Sequence, residues 1–223
     1  MILKEPIVIL ANGAFPESKV SLTILKKAKN IICLDGATNN LIKHGLEPTL
    51  IIGDLDSIES KYKTMYKDIV IEKKDQNQND LRKALSWVEK NNYRNVKVLG
   101  ATGNREDHFI GNIFGILDID YPMDIQLVTD FGVFQILKKG KHVIPSFIGQ
   151  AVSFFASKQT AKVSTYMLKY SFIEDNISDC FSYTLNESVS NSFRVEILKG
   201  KVLLFTGHKY FNGQVIPISL TTP

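Results

Sequence analysis

Thr49-Leu50-Ile51-Ile52-Gly53-Asp54-Leu55-Asp56-Ser57 is a short apolar run that ends in two acids two positions apart. A run of strand length closing on Gly-Asp-x-Asp sets carboxylates just past the carboxyl end of a buried strand, where open α/β sheets bind their ligands. Two carboxylates there suit a hard divalent cation. Magnesium takes a few carboxylate oxygens and leaves its other positions to water and substrate phosphate, which points toward nucleotide chemistry. The same residues also fit a helix start, with Ser57 as N-cap and the acids at the positive end of the helix dipole.

Outward from this stretch, strand-like and helix-like segments alternate. Ile7 to Leu10 reads as a strand, Ala11-Asn12-Gly13 as a turn, and Lys19 to Lys29 as a helix. Asn30 to Leu34 is the second strand and Asn39 to His44 a short helix. Leu50 to Ile52 is the third strand and Asp68 to Glu72 the fourth, followed by a helix with Leu81, Ala84, Leu85 and Val88 on one face. Asn95 to Leu99 is the fifth, followed by a helix carrying Phe109, Ile113, Phe114 and Leu117, and Asp124 to Val128 is the sixth. Such alternation argues for a mostly parallel sheet with helices on both faces, a Rossmann-like α/β layer. From about Phe131 the period changes to two: Val133 to Leu137, Ala151 to Ala156, Lys162 to Tyr170, Ser192 to Leu198 and Lys201 to Phe205 read as half-buried strands of an all-β sandwich. Leu198-Lys199-Gly200-Lys201 reads as a tight hairpin with Gly200 at positive φ. The expected domains are residues 1–138 and 139–223, with the boundary inside 131–145.

Composition narrows the function classes. The chain has 223 residues, 44% of them hydrophobic, enough for a real core. Its net charge of +4 is small and its lysines are dispersed, so neither nucleic acid nor a membrane surface is expected as a partner. Cys33 and Cys180 fit no disulfide framework and no zinc spacing, which points to the cytoplasm. No long apolar signal region opens the sequence, and no run approaches the ~20 apolar residues of a membrane span. Gly-x-x-x-x-Gly-Lys-Ser/Thr, Gly-x-Gly-x-x-Gly and Gly-x-Ser-x-Gly are all absent, which disfavours P-loop, dinucleotide-binding and serine-hydrolase readings.

The polar residues fall in one place. Asp35 follows the second strand, Asp54 and Asp56 the third, Asp75 and Asp80 the fourth, and Arg105 and Asp107 the fifth. In a parallel sheet those ends share one rim, so these groups converge on a single crevice. Clustered carboxylates repel unless a cation neutralises them, which again calls for Mg²⁺.

Asp35-Gly36-Ala37, Gly53-Asp54-Leu55-Asp56-Ser57, Asp75-Gln76-Asn77-Gln78-Asn79-Asp80-Leu81 and Gly100-Ala101-Thr102-Gly103-Asn104-Arg105-Glu106-Asp107-His108 stand in the order and spacing of the thiamine pyrophosphokinases, and Ser188-Val189-Ser190-Asn191-Ser192-Phe193 is similar to that family's Ser-Asn segment. Asn79 replaces the family's usual Thr and Asn104 its second Gly. The only tryptophan, Trp87, lies far from the carboxyl-terminal aromatic of some members, a place Phe205 would take. The resemblance implies transfer of pyrophosphate from ATP to the hydroxyl of thiamine, giving thiamine diphosphate and AMP. It further implies Mg²⁺ on Asp54, Asp56 and Asp80, with Asp75 as a further ligand, and Arg105 and Asp107 at the polyphosphate. Gly13, Asp35, Gly36, Gly100, Thr102, Gly103 and Arg105 would surround the nucleotide, and Gln76, Ser190, Asn191 and Phe205 the thiamine. The β domain would pair two chains into a homodimer whose interface completes the site. A metal-dependent nucleotide-sugar glycosyltransferase and a non-catalytic nucleotide-binding module are the alternatives.

Overall fold

The structure, a computed structural model, describes residues 2–73, 75, 77–156, 160–211 and 214–216. Its contacts divide the chain into two compact units: Met1–Glu17, Ser21–Gly115 and Tyr121–Thr129 form the first, and Ser18–Val20, Ile116–Asp120 and Asp130–Pro223 the second.

In the first unit, β1 (Ile7–Leu10), β2 (Ile31–Leu34) and β3 (Leu50–Gly53) are buried at every residue. Parallel strands covered on both faces read as unbroken apolar runs instead of alternation, and Ile-Val-Ile-Leu, Ile-Ile-Cys-Leu and Leu-Ile-Ile-Gly have that form. With β4 (Val70–Glu72), β5 (Asn95–Leu99) and β6 (Asp124–Val128) they build a parallel sheet of order β6-β5-β1-β2-β3-β4. The helices between them are α1 (Lys19–Lys27), α2 (Ala37–Lys43), α3 (Ser60–Met65), α4 (Asp80–Lys90) and α5 (Glu106–Asp118). The chain steps from β1 out to β4 on one side, then crosses to β5 on the other side of β1. The loops after β1 and β5 therefore flank the point where the strand order reverses.

Helix α4 shows how the sequence sets an element. Leu81, Ala84, Leu85 and Val88 recur at helical spacing and are all buried. Asn79 caps the helix, its Oδ1 accepting from the Arg82 N–H at 3.0 Å. Burial of Leu85 alone contributes about 1.5–3 kcal/mol. Helix α3 has no sequence signature because none of its residues is buried, so no apolar stripe marks it.

The second unit is antiparallel. β9 (Ala161–Tyr166) lies between β10 (Asp175–Ile177) and β12 (Ser192–Gly207), and β12 pairs on its other edge with β7 (Gly132–Pro145). The second half of β12 also pairs with β8 (Ala151–Phe155), which in turn pairs with β11 (Asn186–Glu187). Its core gathers Phe154, Val163, Ile177, Phe193, Val195 and Leu204, with Phe172 edge-on to Phe154 at 5.8 Å. β13 (Lys209–Phe211) and β14 (Gln214–Ile216) form a separate antiparallel pair.

Two expectations are corrected here. The segments Ser192 to Leu198 and Lys201 to Phe205 are not the two arms of a hairpin but one 16-residue strand, β12, paired along both halves with β7. Gly200 does take positive φ, at 74°, but it serves the irregularity between Ile197 and Lys201, where the register shifts and the strand continues. Likewise the strand expected at Val133 to Leu137 runs on to Pro145. Lys138-Lys139-Gly140-Lys141-His142 has no apolar run, yet its backbone pairs with β12, with His142 opposite Val195.

No helix among the described residues is long and apolar enough to cross a membrane. Phe154→Ala should destabilise the second unit by about 3–5 kcal/mol, whereas Phe181→Ala, at an exposed ring, should change stability by less than about 0.5 kcal/mol. Denaturant unfolding followed by tyrosine and tryptophan fluorescence and by circular dichroism checks both.

Candidate active site

The two loops at the reversal point are bonded to each other. The Ala11 N–H donates to the Leu99 carbonyl at 2.8 Å, Gly13 to Gly100 at 2.7 Å and Ala14 to Thr102 at 2.7 Å. A Cβ at Gly13 would stand 2.4 Å from both the Gly100 and the Thr102 carbonyl oxygens, so only glycine permits this approach. Gly100 and Gly103 both have positive φ, and Gly103 packs on Ala14, while Gly36 packs on the Asn12 amide.

Beside these loops, Asp35 follows β2 with a φ of 40° and is buried. Its Oδ2 accepts from the Ser57 N–H at 3.1 Å, whereas its Oδ1 is buried with no hydrogen-bond partner. Gly53 makes room for it: a Cβ there would fall 2.9 Å from the Asp35 Cβ. Next in the chain, Leu55 has a φ of 67°, a conformation that costs an ordinary L-residue energy, and its side chain is buried. Turning Leu55 inward leaves Asp54 and Asp56 outside. Carboxylate oxygens of Asp35, Asp54 and Asp56 lie within 4.8 Å of one another. Burial pushes Asp35 up to about 6, against the Ser57 N–H and reinforced by Asp56. The Ser57 hydroxyl donates to Asp56 at 2.8 Å and, followed by the contact with Asp35, holds the Asp56 carboxyl below its ordinary range.

The helix-start reading of Ser57 does not hold. Helix α3 begins at Ser60, with Glu59 before it, and the Ser57 hydroxyl and N–H both serve acids instead. Asn39 fixes this loop by donating to the Ser57 carbonyl at 2.9 Å and accepting from the Glu59 N–H at 3.0 Å.

A cavity of about 630 Å³ opens over these groups, lined by Asp35, Asp54, Asp56, Asp80, Arg105 and Lys83 and by the β1 and β5 loops with Gly13, Gly100 and Thr102. Asp80 opens α4 and accepts from the Lys83 ammonium at 2.9 Å. Arg105 is exposed and clamped by Asp107, Nε to Oδ1 at 3.1 Å and Nη2 to Oδ2 at 2.6 Å. That pairing raises the Arg105 guanidinium and lowers the Asp107 carboxyl. Asp75 is exposed and accepts from the Asn77 N–H at 2.9 Å, and it does not join the trio. Gln76 lies outside the described residues.

The other expected residues belong to the second unit. The Ser190 carbonyl accepts from the Ser146 hydroxyl at 2.7 Å and the Ser188 hydroxyl at 3.0 Å, and the Asn191 carbonyl accepts from the Ser146 N–H at 2.8 Å. Phe205 sits opposite Phe134 in the β7–β12 register, ring centroids 4.7 Å apart.

The cavity also holds Asn12, Lys83 and Asn112, to which the sequence reading gave no place in the site, and Ser57 and His108, which stand in the motifs without a ligand role. Lys83 stands three residues after Asp80, the spacing that puts two side chains on one helix face. Asn112 was hidden on α5, where its Oδ1 accepts from Asn79 Nδ2 at 3.0 Å and its amide donates to the Ala101 carbonyl at 3.4 Å.

The Asp35, Asp54 and Asp56 oxygens suit a hard divalent cation, since an orphaned buried Oδ1 and two accessible carboxylates are the donor set such an ion takes. Mg²⁺ added to cation-free protein should raise the melting temperature, by a stabilisation of about 2.7 kcal/mol at a hundred times its dissociation constant. Asp54→Asn should lose most of that gain while melting close to wild type without the cation. Calorimetric scans with and without Mg²⁺ read the difference, and an equal gain in both proteins would place the cation elsewhere.

Comparison with known proteins gives a consistent family. Residues 22–129 match the family model described as thiamin pyrophosphokinase, catalytic domain. Thiamine pyrophosphokinase 1 of Oryza sativa subsp. japonica is 27% identical over 162 residues, 61% of each chain. Thiamine pyrophosphokinase of Bacillus subtilis (strain 168) is 31% identical over 86 residues, 37% of this chain and 40% of that protein. The matched segments thus span less than two thirds of these curated relatives. In fold, the crystal structure of thiamine pyrophosphokinase from Bacillus subtilis superposes with a TM-score of 0.77 at 22% identity, covering 90% of this chain and 98% of that one.

Proposed function

We propose that this chain, whose residues 22–129 belong to the thiamin pyrophosphokinase family, transfers pyrophosphate from ATP to the hydroxyl of thiamine, giving thiamine diphosphate and AMP. The observation that carries the reading is the carboxylate trio of Asp35, Asp54 and Asp56 in a cavity at the strand reversal, a site shaped for a cation and a polyphosphate. Asp35, read from sequence as a nucleotide contact, takes a place beside Asp54 and Asp56 as a Mg²⁺ ligand, with Asp80 on the same cavity; Asp75 is assigned to Mg²⁺ by the resemblance alone. Bound there, Mg²⁺ would neutralise phosphate charge and hold the β-phosphoryl group in line.

The chain's own groups do the rest. Arg105, steered by Asp107, offers a planar guanidinium to phosphate oxygens. Asp80 has Oδ1 engaged by Lys83, so Oδ2 receives the thiamine hydroxyl proton. The hydroxyl oxygen then bonds to the β-phosphorus as the bond from that phosphorus to the oxygen of the α-phosphate breaks, and AMP leaves. Gly13, Gly36, Gly100, Thr102 and Gly103 frame the nucleotide. Gln76, Ser190, Asn191 and Phe205 are assigned to thiamine. The reading carries with it a cytoplasmic homodimer whose interface completes the site, with a Rossmann-like first domain, a β-sandwich second domain, and residues 1–138 and 139–223 as the functional division. A nucleotide-sugar glycosyltransferase would use Asp54 and Asp56 but leave Asp80 and Arg105 idle.

Incubation with ATP, Mg²⁺ and thiamine should release AMP and thiamine diphosphate in equal amounts, resolved by ion-pair chromatography. ADP in place of AMP, or AMP release that ignores thiamine, would refute the assignment. Asp54→Asn should lower kcat/KM by about 10²-fold or more.

A further inference from the structure

We propose that Lys83 is a second cation, beside Arg105, that meets the transferring pyrophosphoryl group, an ammonium anchored by Asp80 with its remaining donors directed to phosphate oxygen. The inference rests on the reading of function above and assigns to that site a residue that motif reading omits.

The side chain of Lys83 is 5% exposed. Lysine is almost never buried to that extent unless paired, and a packed apolar side chain in its place is often as stable or more so. The other buried residues of α4 are Leu81, Ala84, Leu85 and Val88, so the helix had an apolar solution for this position and does not use it. The Nζ donates to Asp80 Oδ1 at 2.9 Å. An ammonium has three donors, and among the described residues only Asp80 takes one. The group sits on the wall of the cavity that holds Asp35, Asp54 and Asp56, where an incoming polyphosphate would supply the missing acceptors.

Arg105, the other cation on that wall, is differently placed. It is exposed, and Asp107 already engages it through Nε and Nη2. A strongly hydrated, compact ammonium suits phosphate as a point charge, and the pairing with Asp80 fixes where that charge stands. Lys83 thereby acts on both partners of the reaction, touching phosphate directly and holding the carboxylate that takes the hydroxyl proton.

The test compares wild type with Lys83→Met and Lys83→Arg in Mg²⁺, titrating inorganic tripolyphosphate and, separately, AMP by calorimetry. Lys83→Met should bind tripolyphosphate at least about tenfold more weakly with AMP affinity nearly unchanged, and Lys83→Arg should recover part of the loss. A residue that only braces α4 would weaken both ligands together or neither, and either result overturns the proposal. If Lys83→Met fails to fold by circular dichroism, Lys83→Gln is read by the same criterion. A wild-type protein that binds tripolyphosphate through Lys83 yet makes no AMP from ATP and thiamine would uphold this assignment and remove the pyrophosphoryl-transfer reading.

Discussion

The hydrogen-bonded seam between the loops after β1 and β5 is the constraint on which the candidate site rests. Three backbone bonds, from Ala11, Gly13 and Ala14, tie the first loop to the second. They exist because β1 and β5 are parallel neighbours whose carboxyl ends point the same way. At a strand reversal two loops diverge and leave a crevice, and the seam decides its depth. Without a side chain at Gly13 the loops close to bonding distance, and the cavity is lined by these loops, the acids after β2 and β3, and polar residues of α4 and α5.

Charge then accounts for the irregular backbone around it. Leu55 and Asp35 both adopt positive φ, and both departures serve one arrangement, three carboxylates brought close with one oxygen stripped of partners. Such a cluster is unfavourable in isolation, because burial and like charge each disfavour ionisation. The fold tolerates it through the Ser57 N–H and hydroxyl, which are spent on Asp35 and Asp56 respectively. Two positive-φ residues and an unpartnered carboxylate oxygen beside one cavity, at the ends of unbroken apolar strands, are the mark of a site kept for binding at some expense to stability.

Much of this was legible in the sequence, for identifiable reasons. Fully buried parallel strands write themselves as apolar runs, so β1, β2 and β3 could be placed, and their ends located Asp35, Asp54 and Asp56. Helix α4 was legible because its stripe and its cap agree. Helix α3 was not, having no buried face. The polar half of β7 was also unreadable, because its pairing is made by backbone and its side chains are largely solvated. Gly200 was read for its φ but not for its role, since a turn and an irregularity within a strand ask the same conformation of glycine. At the site, acids with a repeating position after strands stood out, whereas Asn112 is a single polar residue on a helix, and the three-residue step from Asp80 to Lys83 is one that many surface ion pairs share.

Strand β12 bears on how the protein is made. It is the common partner of β7, β8 and β9, and all three are synthesised before it. Until residues 192 to 207 leave the ribosome, those three strands lack the neighbour that joins them, and the β7 edge stands open from the making of Pro145 to that of Ser192. Non-local pairing of this kind assembles late and leaves edges prone to wrong partners. In the parallel unit β1, β2 and β3 pair in the order in which they emerge, while the other edge of β1 waits for β5. Nascent chains of this protein should thus lean on holding factors during the second half of translation, when β7 is already exposed and its complement has not yet been built.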